Sequence, residues 1–454
     1  LNMANFIIYD GYYTQDGVEV SNPTNATING TGVNDVFVTS SATVPNVKVK
    51  AGGGDDILKG AADARLEGEA GNDELDITAG SGVYIGGVGN DLYKIYSFAY
   101  TDLKIDETGS GTDTVFSQQD FSLSSGVTGV TLVASGNEIE NLTLDAKSAA
   151  ITGIGNNLNN QIIGNHQNNI LTGLAGVDTI YGSFGDDQID GGADNDQLFG
   201  NQGDDILIAG TGTDTLTGGI GNDKYIIDSA DTLVEAAVEG TDTVDVTVLA
   251  AGRTWTTSAE VEFINIGGTS SANVTQTNAV DTTIIGNSAT NTLISGAGDD
   301  TLKGKAGADT LTGGTGADTF EFGGQALALT RLFLGETGTL LRFTGTVTNT
   351  IGKDTITDFL SGTDEITLDL STFNVAALAG SAGLDLSAVA NGFISVKQAT
   401  NTGLDSQNAY FVYNQGTGDL FYNANLNTFG WGGGGAFANL GAATLAAADV
   451  SLIA

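Results

Sequence analysis

Apolar side chains recur every nine residues through the middle of the chain, at Ile180, Ile189, Leu198, Leu207, Leu216 and Tyr225. Each follows a glycine-rich stretch, so the pattern predicts a short strand that sends one side chain inward, followed by a tight turn. One inward residue per nonad packs between two facing sheets. Two nonads then close one coil of an all-β, parallel solenoid, and turns on the same side belong to alternate nonads.

The polar half of the nonad keeps the same phase. Asp178, Asp187, Asp196, Asp205, Asp214 and Asp223 occupy the sixth position of GLAGVDTIY, GSFGDDQID, GGADNDQLF, GNQGDDILI, AGTGTDTLT and GGIGNDKYI. Their expected stacks are Asp178/Asp196/Asp214 and Asp187/Asp205/Asp223. Glycines at the first, second and fourth positions are expected to take positive φ and to let carbonyl oxygens crowd a cation. Calcium takes six to eight oxygen ligands, so one carboxylate per turn plus carbonyls from neighbouring coils is suitable chemistry. The phase continues with Asn160 and Asn169 upstream and with Asn291, Asp300, Asp309 and Asp318 downstream, and more raggedly at Asp56, Asp73 and Asp91. These twelve aspartates are the candidate metal ligands. A disordered linker would share the composition but would not hold phase. Collagen is excluded, because only two prolines occur and glycine does not recur every third residue.

Turn by turn, the nonads resemble the GGxGxDxUx repeat of the RTX (repeats-in-toxin) proteins, which fold as calcium-binding parallel β-rolls and are exported by type I secretion. The resemblance covers about two thirds of the chain and implies several bound calcium ions and an extracellular or cell-surface location. It suggests a strand or cap region over 1–50 and calcium arrays at 51–95, 156–231 and 286–322. Calcium-poor spacers over 96–155 and 232–285 resemble those of large RTX surface proteins and adhesins, in which longer coils continue the solenoid. Their asparagines are read first as turn residues and second as ladders between coils. The segments DETGSGTDTV and EAAVEGTDTV follow the first two arrays, so a large module is repeated. Residues 323–454 resemble the carboxy-terminal domain of serralysin-type proteins. Neutral Asn423, Asn425 and Asn427 weaken a calcium loop there, and an unusual insertion spans 324–350. The tail GAATLAAADVSLIA resembles an uncleaved secretion signal, although a short terminal strand would read the same.

Charge sharpens the metal reading. The 454 residues carry 55 acidic and 15 basic side chains, a net charge of -40, so nucleic acid and anionic membranes are poor partners. No apolar run is long enough to span a bilayer, and the first residues show no positively charged leader region. Cysteine is absent, which leaves metal as the available staple for an extracellular chain. At ~10- to 100-fold excess calcium a site adds about 1.4–2.7 kcal/mol, so half a dozen would rival a domain's net ~5–15 kcal/mol. Folding is therefore expected to wait for calcium.

Catalysis finds little to build on. A zinc protease needs HExxH and a lipase needs GxSxG with a placed histidine, whereas the only histidine, His166, sits in an exposed type of turn position. Carboxylate-only polysaccharide chemistry is open by residue type, but the repeats account for nearly all the paired acids. The leading expectation is a non-enzymatic structural protein that assembles with copies of itself into a surface layer, sheath or filament. An adhesin, with a cell-surface polysaccharide as a partner, comes next; Trp255 and Trp431 are read as core rather than as its ligand face. For assembly, the segment Phe6-Ile7-Ile8-Tyr9 has two open readings: an added strand on a neighbouring subunit, or a strand folded back on its own roll.

Overall fold

The computed structural model describes 27–322 with short interruptions, three strands before residue 22, and Asp358 together with eight strands between 354 and 453. Every described element is a strand, and no helix occurs among the described residues. The chain divides into two compact units, the first built chiefly from residues up to Ile226 and the second chiefly from Thr241 onward.

Within each array of the first unit, successive strands alternate between two facing sheets and pair in parallel with strands of the neighbouring coils. Through the second array the step between partners is eighteen residues. Thr179–Phe184 pairs with Gln197–Gln202, which pairs with Thr215–Ile220. Gln188–Ala193 pairs with Ile206–Thr211 in the opposite sheet. The core is the row of eighth-position side chains: Ile180, Ile189, Leu198, Leu207, Leu216 and Tyr225 are all fully buried. The eighteen-residue register makes each coil of this array two nonads and stacks each inward apolar residue on its counterpart in the next coil.

The spacer continues the roll on longer coils. Asp113–Ser117 pairs with Ile139–Leu144, twenty-odd residues on, and Phe121–Ser122 and Val130–Leu132 lie in other sheets within that single coil. At the amino-terminal end, Ala4–Tyr9 pairs in parallel with Asp35–Thr39. Its other edge is covered by the antiparallel strand Tyr12–Gln15, which is covered in turn by Val18–Ser21. Phe6, Ile7 and Ile8 are thus paired on both edges within the chain. The segment folds back on its own roll, the second of its two readings, and at this end the sheet finishes on Val18–Ser21.

The second unit repeats the scheme. Phe263–Ile266, Thr283–Ile285, Thr301–Lys303 and Thr319–Phe322 stack in one sheet, and Arg253–Thr257, Ala272–Gln276, Thr292–Ile294 and Thr310–Thr312 in the other. Beyond it an antiparallel meander runs from Leu384–Val389 through Phe393–Gln398, Phe411–Asn414 and Asp419–Tyr422 to Ala436–Asn439. The tail contains a strand, Val450–Ile453, parallel to Glu365–Asp369. The 324–350 insertion and Asn423, Asn425 and Asn427 lie outside the described residues.

Candidate metal sites

Each sixth-position aspartate of the second array is buried, with Asp178, Asp187, Asp196 and Asp205 at most 2% exposed. One oxygen has a defined task. Asp196 Oδ1 accepts the backbone N–H of Asp178 at 2.8 Å, and Asp214 Oδ1 accepts that of Asp196 at 2.8 Å. On the other side Asp205 Oδ1 accepts from Asp187 at 2.7 Å, and Asp223 Oδ1 accepts from Asp205 at 2.8 Å. The two stacks read from the sequence are therefore two hydrogen-bonded ladders.

The second oxygen is what makes the turn a candidate site. Oδ2 of Asp178, Asp187, Asp196 and Asp205 is buried and accepts no hydrogen bond. A Cβ built on Gly173 would lie 2.2 Å from Asp178 Oδ2 and 2.5 Å from the carbonyl oxygen of Gly191 in the next coil; one on Gly182 would meet Asp187 Oδ2 at 2.2 Å and the Gly200 carbonyl at 2.8 Å. A carboxylate oxygen and a carbonyl oxygen converge there with no donor between them. Burying such acceptors unpaired is costly, and a hard cation is the partner they suit. The donor set fits calcium.

The geometry corrects one expectation. First-position glycines are needed for this close approach and not for positive φ; positive φ belongs to the second and fourth positions, such as Gly192 (104°) and Gly176 (110°). Leu174, Ser183 and Asn201 adopt φ of 84°, 88° and 77° at the second position despite their side chains. Ala209 stands at the first position before Asp214, so that cradle carries a methyl group where its neighbours have none.

The ragged first array follows the same rule on one side only. Backbone N–H groups of Asp35, Asp56, Asp73 and Asp91 donate to Oδ1 of Asp56, Asp73, Asp91 and Asp113 across 21, 17, 18 and 22 residues. Asp113 continues the ladder to Glu140 Oε2, 27 residues on. Oδ2 of Asp56, Asp73 and Asp91 is again buried without a partner. Asp35, Asp113 and Glu140 were not legible as members, because their spacing is set by coil length. In the third array Asp300 donates its N–H to Asp318 Oδ1, and Asp309 Oδ1 accepts from Asn291. There Ser295 replaces the first-position glycine before Asp300 and donates to the Gly313 carbonyl at 2.8 Å. Asp358, from outside the repeats, accepts the N–H groups of Gly313 and Gly314.

Asparagine turns solve the same problem without a cation. Asn160 Oδ1 accepts the N–H of Asn156, while Asn160 Nδ2 donates to the Glu140 carbonyl at 2.9 Å and to Asn156 Oδ1 at 3.1 Å. Asn156 Nδ2 donates to the Ile139 carbonyl at 2.8 Å. Asn165 and Asn169 repeat the arrangement against Ala150, and Asn287 and Asn291 against Gly267, Ser270 and Ala272. These amides shape turns and also tie successive coils together. Both readings of asparagine hold at once.

Burial pushes Asp178 and Asp187 up to about 7 and Asp196 and Asp205 up to about 6, because ladder N–H groups offset only part of the desolvation. Burial likewise raises Asp300. His166 is exposed and packs edge-on against Phe184, with ring centroids 4.7 Å apart. Trp255 is buried in the second unit, and Trp431 lies outside the described residues. No helix among the described residues is long and apolar enough to cross a membrane.

Comparison with known families agrees with the geometry. The RTX calcium-binding nonapeptide repeat (4 copies) matches residues 154–189, 190–225 and 285–324. The matches take in the asparagine turns and leave out the first array, where strand pairing and the aspartate ladder supply the register. No curated protein matches the chain.

Proposed function

We propose that this chain, an RTX-repeat β-roll that binds several calcium ions, serves outside the cell as a structural subunit, assembling with copies of itself into a surface layer, sheath or filament after export by type I secretion. The observation that carries this reading is the distribution of the metal-type turns. They recur in both units from Asp56 to Asp318, so the repeat makes up the body of the described residues. A net charge of -40 keeps subunits apart, and calcium removes that barrier as it locks the turns. The edge strand Val18–Ser21 offers backbone groups for pairing with a second copy.

Light scattering and negative-stain microscopy test this. Millimolar calcium is expected to give ordered polymers that disperse on chelation, and a proline scan through Val18–Ser21 is expected to slow their growth wherever it removes an outward-facing N–H. A monomer at high protein concentration in calcium would end the structural reading and favour adhesion. One observation supports that second reading: Tyr181 and Phe199 stack with ring centroids 4.9 Å apart at outward positions of neighbouring strands, a surface a sugar ring could cover.

A further inference from the structure

Where the first array gives way to the spacer, the roll gathers three acids from three different turns. Asp91 closes the last nonad, Glu107 stands in the turn region after the strand Asp102–Ile105, and Asp113 opens the next coil. All three are at most 1% exposed, and each offers an oxygen within 4.8 Å of the other two. Asp91 Oδ2 accepts no hydrogen bond. It points to the cradle at Gly86, where a built Cβ would meet Asp91 Oδ2 at 2.2 Å and Glu107 Oε2 at 2.5 Å. In the repeat sites a main-chain carbonyl stands where Glu107 stands here.

Surrounding donors hold Glu107 as an acceptor. The Tyr93 hydroxyl accepts the N–H of Gly86 at 2.6 Å and gives its own proton to Glu107 Oε2 at 2.5 Å; Gly109 N–H donates to Oε1 at 2.9 Å. Asp91 Oδ1 and Asp113 Oδ1 are already occupied by ladder N–H groups. No lysine or arginine pairs with any of the three among the described residues. Three acceptor-only groups, one with a bare buried oxygen, face a common point.

We propose that Asp91, Glu107 and Asp113 bind a calcium ion of their own at this junction, and that Tyr93 positions Glu107 for it. Its donor set differs from the repeat sites, which offer a carboxylate and carbonyl oxygens, in bringing three carboxylates to one ion. Ligand charge and rigidity set calcium affinity, so this ion binds more tightly than those of the repeats and is retained after they empty. The site thereby anchors the first array to the metal-poor coil that follows, whether or not the chain polymerises.

Calcium titration of the full chain against a competing chelator dye tests the site. The Glu107→Gln variant keeps the shape and the Tyr93 contact but loses a charge. In saturating calcium its circular dichroism is expected to match that of the parent, while the count of tightly held ions falls by one or that ion weakens at least tenfold. An unchanged count and affinity in the folded variant would overturn the proposal. Should that variant not fold, anomalous scattering from crystals of the parent grown in calcium decides: a peak between the three carboxylates supports the site, and its absence there overturns it.

Discussion

The turns at Asn160 and Asp178 lie in neighbouring coils of one sheet and belong to one ladder, since Asn160 donates its N–H to Asp178 Oδ1 at 2.7 Å. They differ in what they offer the rest of the turn. Asn160 and Asn156 bring amide N–H groups that reach the Glu140 and Ile139 carbonyls, so the turn is satisfied by protein alone. Asp178 brings only acceptors to a place where the Gly191 carbonyl is another, and its Oδ2 is left bare. Backbone conformation follows the chemistry. The asparagine turn has Leu158 at the fourth position with no positive φ, whereas the aspartate turn has Gly176 at 110° and Leu174 at 84°. Two amides in place of a carboxylate and an apolar side chain, with the backbone that suits them, separate a coil that closes by itself from one that needs a cation.

Removing calcium should break the two kinds of turn apart most strongly. In chelator at neutral pH the β signal in far-UV circular dichroism is expected to collapse, and magnesium to restore it poorly because it demands a tighter octahedral shell. Hydrogen exchange at intermediate calcium should leave the coils around Asn156 to Asn169 better protected than those around Asp196 to Asp214. Equal folding with and without chelator would contradict the comparison.

Protons should act on the carboxylate turns alone. Asp178 and Asp187 reach about 7 in the folded, metal-free chain because burial disfavours their charge, against roughly 3.9 in an unfolded one. A raised folded value means that these groups stabilise the metal-free roll fully below about 3.9 and lose that contribution as pH rises through about 7. Chelated protein is therefore expected to gain β structure on acidification. Calcium must displace those protons, so its folding midpoint should climb as pH falls from 7 to 5. A midpoint flat across that range would show that the aspartates do not carry the metal.

Single substitutions probe one turn at a time. Asp205→Ala is expected to raise the calcium midpoint severalfold and to lower the number of ions bound. Asn160→Ala should leave that number unchanged and cost about 1–3 kcal/mol at any calcium level, from carbonyls and amides left unpaired. Denaturant melts at two calcium concentrations separate the two. The smallest and sharpest change transplants the amide turn: Leu174→Asn, Gly176→Leu and Asp178→Asn together should make one more coil hold its exchange protection in chelator. Loss of protection there would mean that the Asn156/Asn160 turn depends on its spacer neighbours.

The second array was almost wholly legible because each feature lies within nine residues: Asp178 and Ile180 announce their roles from local spacing. Less was legible elsewhere. Asp35 and Asp113 look like loop acids, and Glu107 like part of an acidic linker, until coils of 17 to 27 residues are closed and stacked. The aromatic run before Tyr12 was equally ambiguous, since a strand that pairs with its own roll and one that pairs with a neighbour have the same composition.

By itself, then, the sequence determined the period, the phase, the acceptor chemistry of the turns and the need for an outside charge, since all of these are properties of one nonad repeated. Tertiary structure alone decided which acids share a ladder, why Gly173 and Gly182 tolerate no side chain, and that Asp91, Glu107 and Asp113 meet. In a solenoid those contacts run between coils, across distances fixed by how much chain each coil takes to close, and no local pattern encodes that length.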